Sequence, residues 1–522
     1  MITLKSYLCG TWCEGTGGDA SLVNPSTEEV VARCSTKGLD LQAALAYGRD
    51  VGGPALRAMT FAERGALLKR MSSALHEARE TLVDASTLNN GATRGDAKFD
   101  VDGAIGTLAY YAKLAEKLTA DNGDRRFFVE GAGEPLTRAP RFCGYHMWST
   151  RTGVALHINA FNFPAWGLAE KAACAILAGV PVLTKPATST ALVAFKLVEI
   201  LVEKAAMPAG VLQLVCGSVG DLTDHLLPED VIAFTGSADT GATLRRSRSV
   251  VERSTRINIE ADSLNAVVLG EDVEVGSETW HLFIRHLATE LTQKTGQKCT
   301  ATRRIFVPRR HADGIQEALS ERLAAIRVGD PSQEGIDMGP LATAQQLRDA
   351  HKGIELLVAD GCRMVFGSTE NPVGKGFFLK PILLRHDTPM EARAVHAHEV
   401  FGPVSTILPY DSAAEASALV ARGEGTLVCS IYSNDKAFLE TVLLSSAVWT
   451  GRILLGSDKV ADQTTTPGMV LPASIHGGPG RAGGGEELGG ERGLRFYMQR
   501  TAIQGDRSVL DRLLGAPKRD EA

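Results

Sequence analysis

The chain has 522 residues, 44% hydrophobic and 22% charged, with a formal charge of −6. Such a length allows two or three domains, and the composition is that of an ordinary globular protein rather than a disordered or collagen-like one. The mild acidity leaves no electrostatic footprint for nucleic acid, and no apolar run approaches the roughly 20 residues of a membrane span. The N-terminus MITLKSYLCGTWCEG lacks the apolar core of a signal peptide. The nine cysteines are an odd number, spread thinly and without a CxxC pair. This argues against a disulfide scaffold or zinc ribbon and for a reducing, cytoplasmic setting. No metal site is expected; His396 and His398 in HAHE lack zinc-site spacing and are read as surface residues.

In chain order, Leu67, Met71, Leu75, Ala78 and Leu82 share one helical face and predict a packing helix. From 153 to 260 apolar strands alternate with helices. Strands are read at Val154–Ile158, Val180–Thr184, Val211–Val215, Val231–Phe234 and Arg256–Glu260. Helices are read at Ala165–Leu177, stopped by Gly179, at Thr190–Ala206, and from about Asp239. This alternation predicts βαβ units, a parallel sheet covered on both faces, and a ligand at the carboxyl ends of its strands. A second α/β series follows, with strands at Asn265–Leu269, Arg303–Val307, Val404–Leu408 and Leu427–Tyr432. Its helices are read at Thr279–Lys294, 311–327, 343–359 and Asn434–Ser446. Residues 131–152 fit neither series, and the Gly-rich His476–Gly493 reads as loop before the apolar FYMQRTAIQ. Unpaired strands near 140 and 500 would serve as oligomerisation edges.

The candidate chemical residues sit at or just past strand ends. Cys299, after Gly296-Gln297-Lys298, is either a small core residue or a thiol presented to a cleft. Glu260, ending Ile257-Asn258-Ile259-Glu260, is a general base or a turn cap. Asn162, between Phe161 and Phe163, is an oxyanion donor or a helix N-cap. Lys185 could hold a ribose or phosphate, or be solvated. The glycine patterns Gly217-x-x-Gly220 and Gly236-Ser237-x-x-x-Gly241 are weak phosphate-loop signals, and no GxGxxG follows a strand. His476 could line a pocket.

The order of these motifs is more specific than any one of them. Asn162-Phe163-Pro164, Lys185-Pro186-Ala187, Phe234-Thr235-Gly236-Ser237, Glu260, Gly296-Gln297-x-Cys299 and Glu399-Val400-Phe401-Gly402-Pro403-Val404 together resemble the NAD(P)-dependent aldehyde dehydrogenase superfamily over nearly the whole chain. The resemblance implies an α/β fold with a Rossmann-type cofactor domain (1–130 and 153–260) and an α/β catalytic domain (261–475). A small β oligomerisation arm with the C-terminal tail (131–152 and 476–522) would build a homodimer. It implies Cys299 as nucleophile, the Asn162 amide and the Cys299 N–H as oxyanion donors, and Glu260 as the base that activates water. Lys185 would meet the adenosine ribose, Gly236 and Ser237 the diphosphate, and Glu399 the nicotinamide ribose, with Phe401 beside it. Phe161, Thr188, Gly217 and Gly241 belong to the same cofactor wall. NAD-preferring relatives often carry Glu where Thr188 stands. A neutral hydroxyl there predicts that NADP is accepted and preferred, with NAD possible. Three departures, Ala160-Phe161-Asn162, Glu260-Ala261-Asp262-Ser263 and the Gly-rich tail, resemble the branch that oxidises CoA-linked semialdehydes in aromatic degradation. His476 and the tail would form the substrate entrance. The alternatives are a general aliphatic or aromatic aldehyde dehydrogenase, a CoA-acylating variant, and a non-catalytic binding homologue.

Overall fold

The computed structural model describes residues 1–515, so the last residues of the 476–522 tail lie outside the described residues. Two seven-stranded sheets dominate. The first runs in the order Arg256–Glu260, Val231–Thr235, Ala155–Ile158, Val182–Lys185, Leu212–Leu214, Ser6–Leu8, Thr11–Cys13. Its first five strands are parallel, and the two N-terminal ones are antiparallel. The parallel strands are mostly buried and largely apolar because both faces are covered, with His157, Thr184, Gln213 and Asn258 as buried polar interruptions. Chain order reverses between Ala155–Ile158 and Val231–Thr235, so a crevice opens at their carboxyl ends. Register places Ile158 beside Lys185 and Thr235 beside Glu260 along that edge.

The second sheet runs Arg363–Phe366, Ile382–Arg385, Val404–Tyr410, Arg304–Pro308, Ala266–Leu269, Thr426–Tyr432, Thr450–Gly456. All its pairs are parallel except the first. A three-stranded arm joins Met498–Asp506 to Phe142–Thr150 and Phe127–Pro135, all antiparallel. The two strands expected to be unpaired, near 140 and 500, therefore pair with each other. No helix among the described residues is long and apolar enough to cross a membrane.

Three further expectations differ from the structure. The helix read through 67–82 is two helices, Phe61–Glu77 and Arg79–Asn90, meeting at Ala78 with ψ near 18°. No glycine or proline marks that break in the sequence. The Gly-rich tail is not all loop. Ile475–Gly477 pairs antiparallel with Glu486–Leu488, setting His476 opposite Glu487, and a short helix Glu491–Arg495 follows. The glycines let this hairpin lie against the Glu260 strand: a Cβ on Gly483 would stand 2.2 Å from the Ile259 carbonyl oxygen. His396 is buried rather than on the surface. It lies 3.2 Å from an Arg304 nitrogen and 3.0 Å from the Pro389 carbonyl, while His398 is exposed.

Candidate active site

Cys299 follows the helix Glu278–Thr292 and the turn Gln293–Gly296. Gly296 has φ 66°, and a Cβ there would stand 2.3 Å from the Gly402 carbonyl oxygen. Only glycine fits, which ties the nucleophile loop to the segment carrying Glu399. Asn162 is buried in the loop after Ala155–Ile158, and its Nδ2 donates to the Gln297 carbonyl at 2.9 Å. It is not a helix cap. The helix starts at Trp166, and the Asp100 carboxylate accepts the Ala165 and Trp166 N–H groups in place of a capping residue. One amide hydrogen of Asn162 is left for a ligand.

Glu260 ends its strand fully buried. His476 Nε2 stands 3.0 Å from its Oε2 as an ion pair, although neither carboxylate oxygen receives a well-aligned hydrogen bond. The same Nε2 is 3.7 Å from Cys299 Sγ. His476 is thus at the centre of the cluster, not at its entrance. Burial pushes the Glu260 carboxyl up, but the charges of His476 and Lys171 outweigh it and hold the group below the usual carboxylate range. Burial works against a charged His476 too, and Glu260 outweighs that, so the imidazole pKa is raised. The Cys299 thiol is pushed well above its ordinary value by burial and then by Glu260. The resting sulfur therefore carries its proton, with a carboxylate nearby to take it.

A second buried group lies behind this one. Carboxylate oxygens of Glu170, Glu260 and Glu487 are all within 4.8 Å of one another. Lys171 Nζ stands 3.2 Å from Glu170 and 3.1 Å from Glu487, which puts an ammonium where three buried acids need a cation. Burial raises the Glu487 carboxyl despite Lys171. Sequence reasoning missed these residues. The signal was available: Glu170-Lys171 is a charged pair inside the otherwise apolar helix Trp166–Ala178. Glu487 was hidden in the glycine-rich stretch.

Two cavities meet at the sulfur. One is a cleft of about 650 Å³ walled by Phe161, Lys185, Thr188, Gly236, Ser237, Glu399 and Phe401. The other is a narrow pocket walled by Phe99, Phe163, Trp166, Glu170, Gly468, Val470 and His476. Ala160, Asn162, Thr235, Glu260 and Cys299 line both. The larger cleft fits a dinucleotide by size and by donor set. Lys185 Nζ has only Thr188 Oγ1, at 3.4 Å, and makes no ion pair among the described residues. Thr188 Oγ1 donates to the Gly217 carbonyl at 3.0 Å. Ser237 caps the helix Ala238–Arg245 beside the crevice. At the far end the Phe161 and Phe401 rings meet edge to face at 5.7 Å. Glu399 is held by Arg303 at 3.2 Å and by the Ser263 N–H at 3.1 Å, and burial pushes its carboxyl up to about 8 against the Arg303 charge. Two expected wall residues lie elsewhere. Gly217 touches the cleft only through Thr188, and Gly241 is buried where a Cβ would meet Ile259 at 3.1 Å, so it serves helix packing.

Residues 12–503 match the aldehyde dehydrogenase family, and the chain belongs to it. It is an NAD(P)-dependent oxidoreductase acting on aldehydes. It is 43% identical to 3,4-dehydroadipyl-CoA semialdehyde dehydrogenase of Aromatoleum evansii, over 99% of both chains. It is 30% identical to 2,5-dioxopentanoate dehydrogenase of Saccharolobus solfataricus, over 96% of this chain and 100% of that one. Among solved structures, PnpE in complex with nicotinamide adenine dinucleotide superposes with TM-score 0.83 at 25% identity, covering 96% of this chain and 97% of the other. The betaine aldehyde dehydrogenase of Staphylococcus aureus with NAD+ shares the fold at TM-score 0.82 and 23% identity, covering 96% and 94%.

Proposed function

We propose that the chain oxidises a CoA-linked semialdehyde to its acid with NADP, through a covalent thioester on Cys299. The observation that carries this reading is that the sulfur lies on the shared wall of a dinucleotide-sized cleft and a narrow apolar pocket, with Asn162 and Glu260 on the same wall. The aldehyde carbon enters from the narrow side. The thiol proton passes to Glu260 as sulfur bonds to that carbon, the oxygen takes up negative charge, and Glu260 returns the proton to solvent before the hydrolytic step. The free hydrogen of the Asn162 amide and the Cys299 N–H stabilise that oxyanion, as neutral fixed donors do in a dry site. The bound nicotinamide supplies a hydride acceptor. Glu260, ionised at neutral pH, takes a proton from the water that hydrolyses the thioester. The presence of that base disfavours a CoA-acylating variant, in which CoA resolves the thioester.

His476 sets the working range of the base. Glu260 has a folded pKa below its ordinary value because the cation beside it outweighs burial. His476→Phe removes that cation, so the pKa rises and the carboxylate is lost at a higher pH on acidification. The acid limb of the kcat profile is expected to move up by about one unit. An unmoved limb would mean that His476 does not tune Glu260.

The NADP preference rests on Thr188, which places no negative charge beside Lys185. Thr188→Glu is expected to raise the NADP KM about 30-fold while leaving NAD within a few-fold, since a carboxylate repels a 2′-phosphate and accepts from ribose hydroxyls. A wild-type enzyme that binds NAD more tightly than NADP would contradict the preference.

The CoA assignment rests on likeness to the Aromatoleum evansii enzyme. Its test is kcat/KM for a CoA-thioester semialdehyde against the same semialdehyde without CoA. A gain of about 10-fold or more for the thioester supports it, and equal values favour a general aldehyde dehydrogenase. The arm supports a homodimer: the outer edge of Met498–Asp506 is unpaired among the described residues. All nine cysteines are free, as suits the cytoplasm.

A further inference from the structure

Just before the nucleophile the backbone does something unusual. Lys294 has φ 56° and ψ 29°, Thr295 has φ 55° and ψ 36°, and Gly296 has φ 66°. Two side-chain-bearing residues in a row are left-handed, a conformation that persists only when its surroundings hold it. Both are buried. Thr295 is held by its hydroxyl, which donates to the Gly339 carbonyl at 3.0 Å. Lys294 is held by its ammonium, which donates to Asn90 Oδ1 at 2.9 Å and lies 5.0 Å from the centre of the Phe163 ring. Asp96 and Asp100 are buried too but make no ion pair with the ammonium among the described residues; their charge favours its protonated form, and burial outweighs it, so its pKa is lowered.

The consequences run toward the reaction centre. The Lys294 carbonyl accepts from the Gln297 N–H at 3.0 Å and from Gln297 Nε2 at 3.4 Å. The Gln297 carbonyl in turn accepts from Asn162 Nδ2 at 2.9 Å. On the other side, Asn90 Nδ2 donates to the Phe161 carbonyl at 2.9 Å, so the amide that grips the ammonium also grips the residue preceding Asn162. The lysine thus reaches the Asn162 amide by two routes, one through each loop. An uncharged residue would lose the bond to Asn90.

We propose that Lys294 is a positioning residue: its buried ammonium holds residues 294–296 in their left-handed path, which aims the Gln297 carbonyl and so fixes the direction in which the Asn162 amide points its remaining hydrogen. The proposal rests on the oxyanion role given to Asn162 above. It makes no claim on the sulfur, which needs no oxyanion donor to react with an alkylating agent.

The test is a double-mutant cycle on the full-length enzyme with Lys294→Met and Asn162→Ala. Lys294→Met is expected to lower kcat about 10- to 100-fold, below the roughly 10²- to 10³-fold cost of removing an oxyanion donor outright, because the amide is misaimed rather than lost. KM should change less than about threefold, and the rate of Cys299 alkylation by iodoacetamide should stay within about twofold. In the Asn162→Ala background the same substitution should cost less than about twofold more, because the group it orients is gone. Equal losses in both backgrounds, or an unchanged kcat in the single variant, would overturn the proposal while leaving the Asn162 reading intact. Full activity in Asn162→Ala alone would overturn that reading and the proposal with it. If Lys294→Met does not fold, Asn90→Ala removes the shared grip and is run through the same cycle, with the same expected pattern and the same overturning outcomes.

Discussion

Cys299→Ser is expected to lower kcat/KM by about 10⁴-fold or more, the largest effect of any single substitution in the chain. An alcohol in this place is a far weaker nucleophile than a thiol, because the anion that attacks the carbonyl forms much less readily. The burial and the adjacent Glu260 carboxylate that already push the thiol up would penalise an alkoxide more severely. Serine is also smaller, so the reacting atom draws back from the boundary between the two cavities. The cofactor should bind as before, since Lys185, Thr188, Glu399 and Phe401 hold the rest of that cleft. A cofactor titration by fluorescence, run beside the activity assay, separates loss of chemistry from loss of fold. Activity within tenfold of wild type would remove Cys299 from the reaction.

Glu260→Gln is expected to split the reaction rather than abolish it. The amide keeps the shape of the side chain but cannot take a proton from water. Thioester formation continues to the extent that His476 can receive the thiol proton, and hydrolysis falls by about 10²- to 10⁴-fold. Mixing enzyme, aldehyde and cofactor should therefore give a burst near one equivalent of reduced cofactor, followed by a slow steady state. The substitution leaves Lys171 paired with Glu170 and Glu487, so the buried group behind the site retains its cation. A steady state as fast as wild type would give the water-activating role to another residue, with Glu170 the other carboxylate of the buried group that lines the narrow pocket.

The parallel strands were legible in the sequence because strands buried on both faces are short and largely apolar, and Gly179 and Pro208-Ala209-Gly210 punctuate the helices between them clearly. Arg256–Glu260 stands as read and the other four parallel strands of its sheet shift by a residue or two at their ends, whereas the edge strands Ser6–Leu8 and Thr11–Cys13 carry no apolar run and were not read. Placement at strand ends brings Asn162, Lys185, Gly217, Ser237 and Glu260 to one edge in the sequence, since parallel strands share a carboxyl end, and all but Gly217 line the cleft. Cys299 was not legible alone: a single thiol after a helix is ambiguous until its loop is seen pressed against Gly402. Other features depended on distant partners. The left-handed turn at Lys294 and Thr295 is held by Asn90 and Gly339, far away in sequence. The hairpin that brings His476 and Glu487 to Glu260 is built on glycines, whose freedom reads locally as loop. The arm forms by pairing Phe142–Thr150 with Met498–Asp506, a contact no local pattern announces.

The most direct measurement is the mass of the enzyme during turnover. Glu260→Gln enzyme is mixed with aldehyde and NADP, quenched in acid within the burst, digested and analysed by mass spectrometry. The predicted result is one acyl group per chain, on the peptide containing Cys299, appearing together with reduced cofactor and removed by hydroxylamine. Cofactor reduction with no mass added to that peptide, or with the acyl group on another residue, would contradict the covalent route.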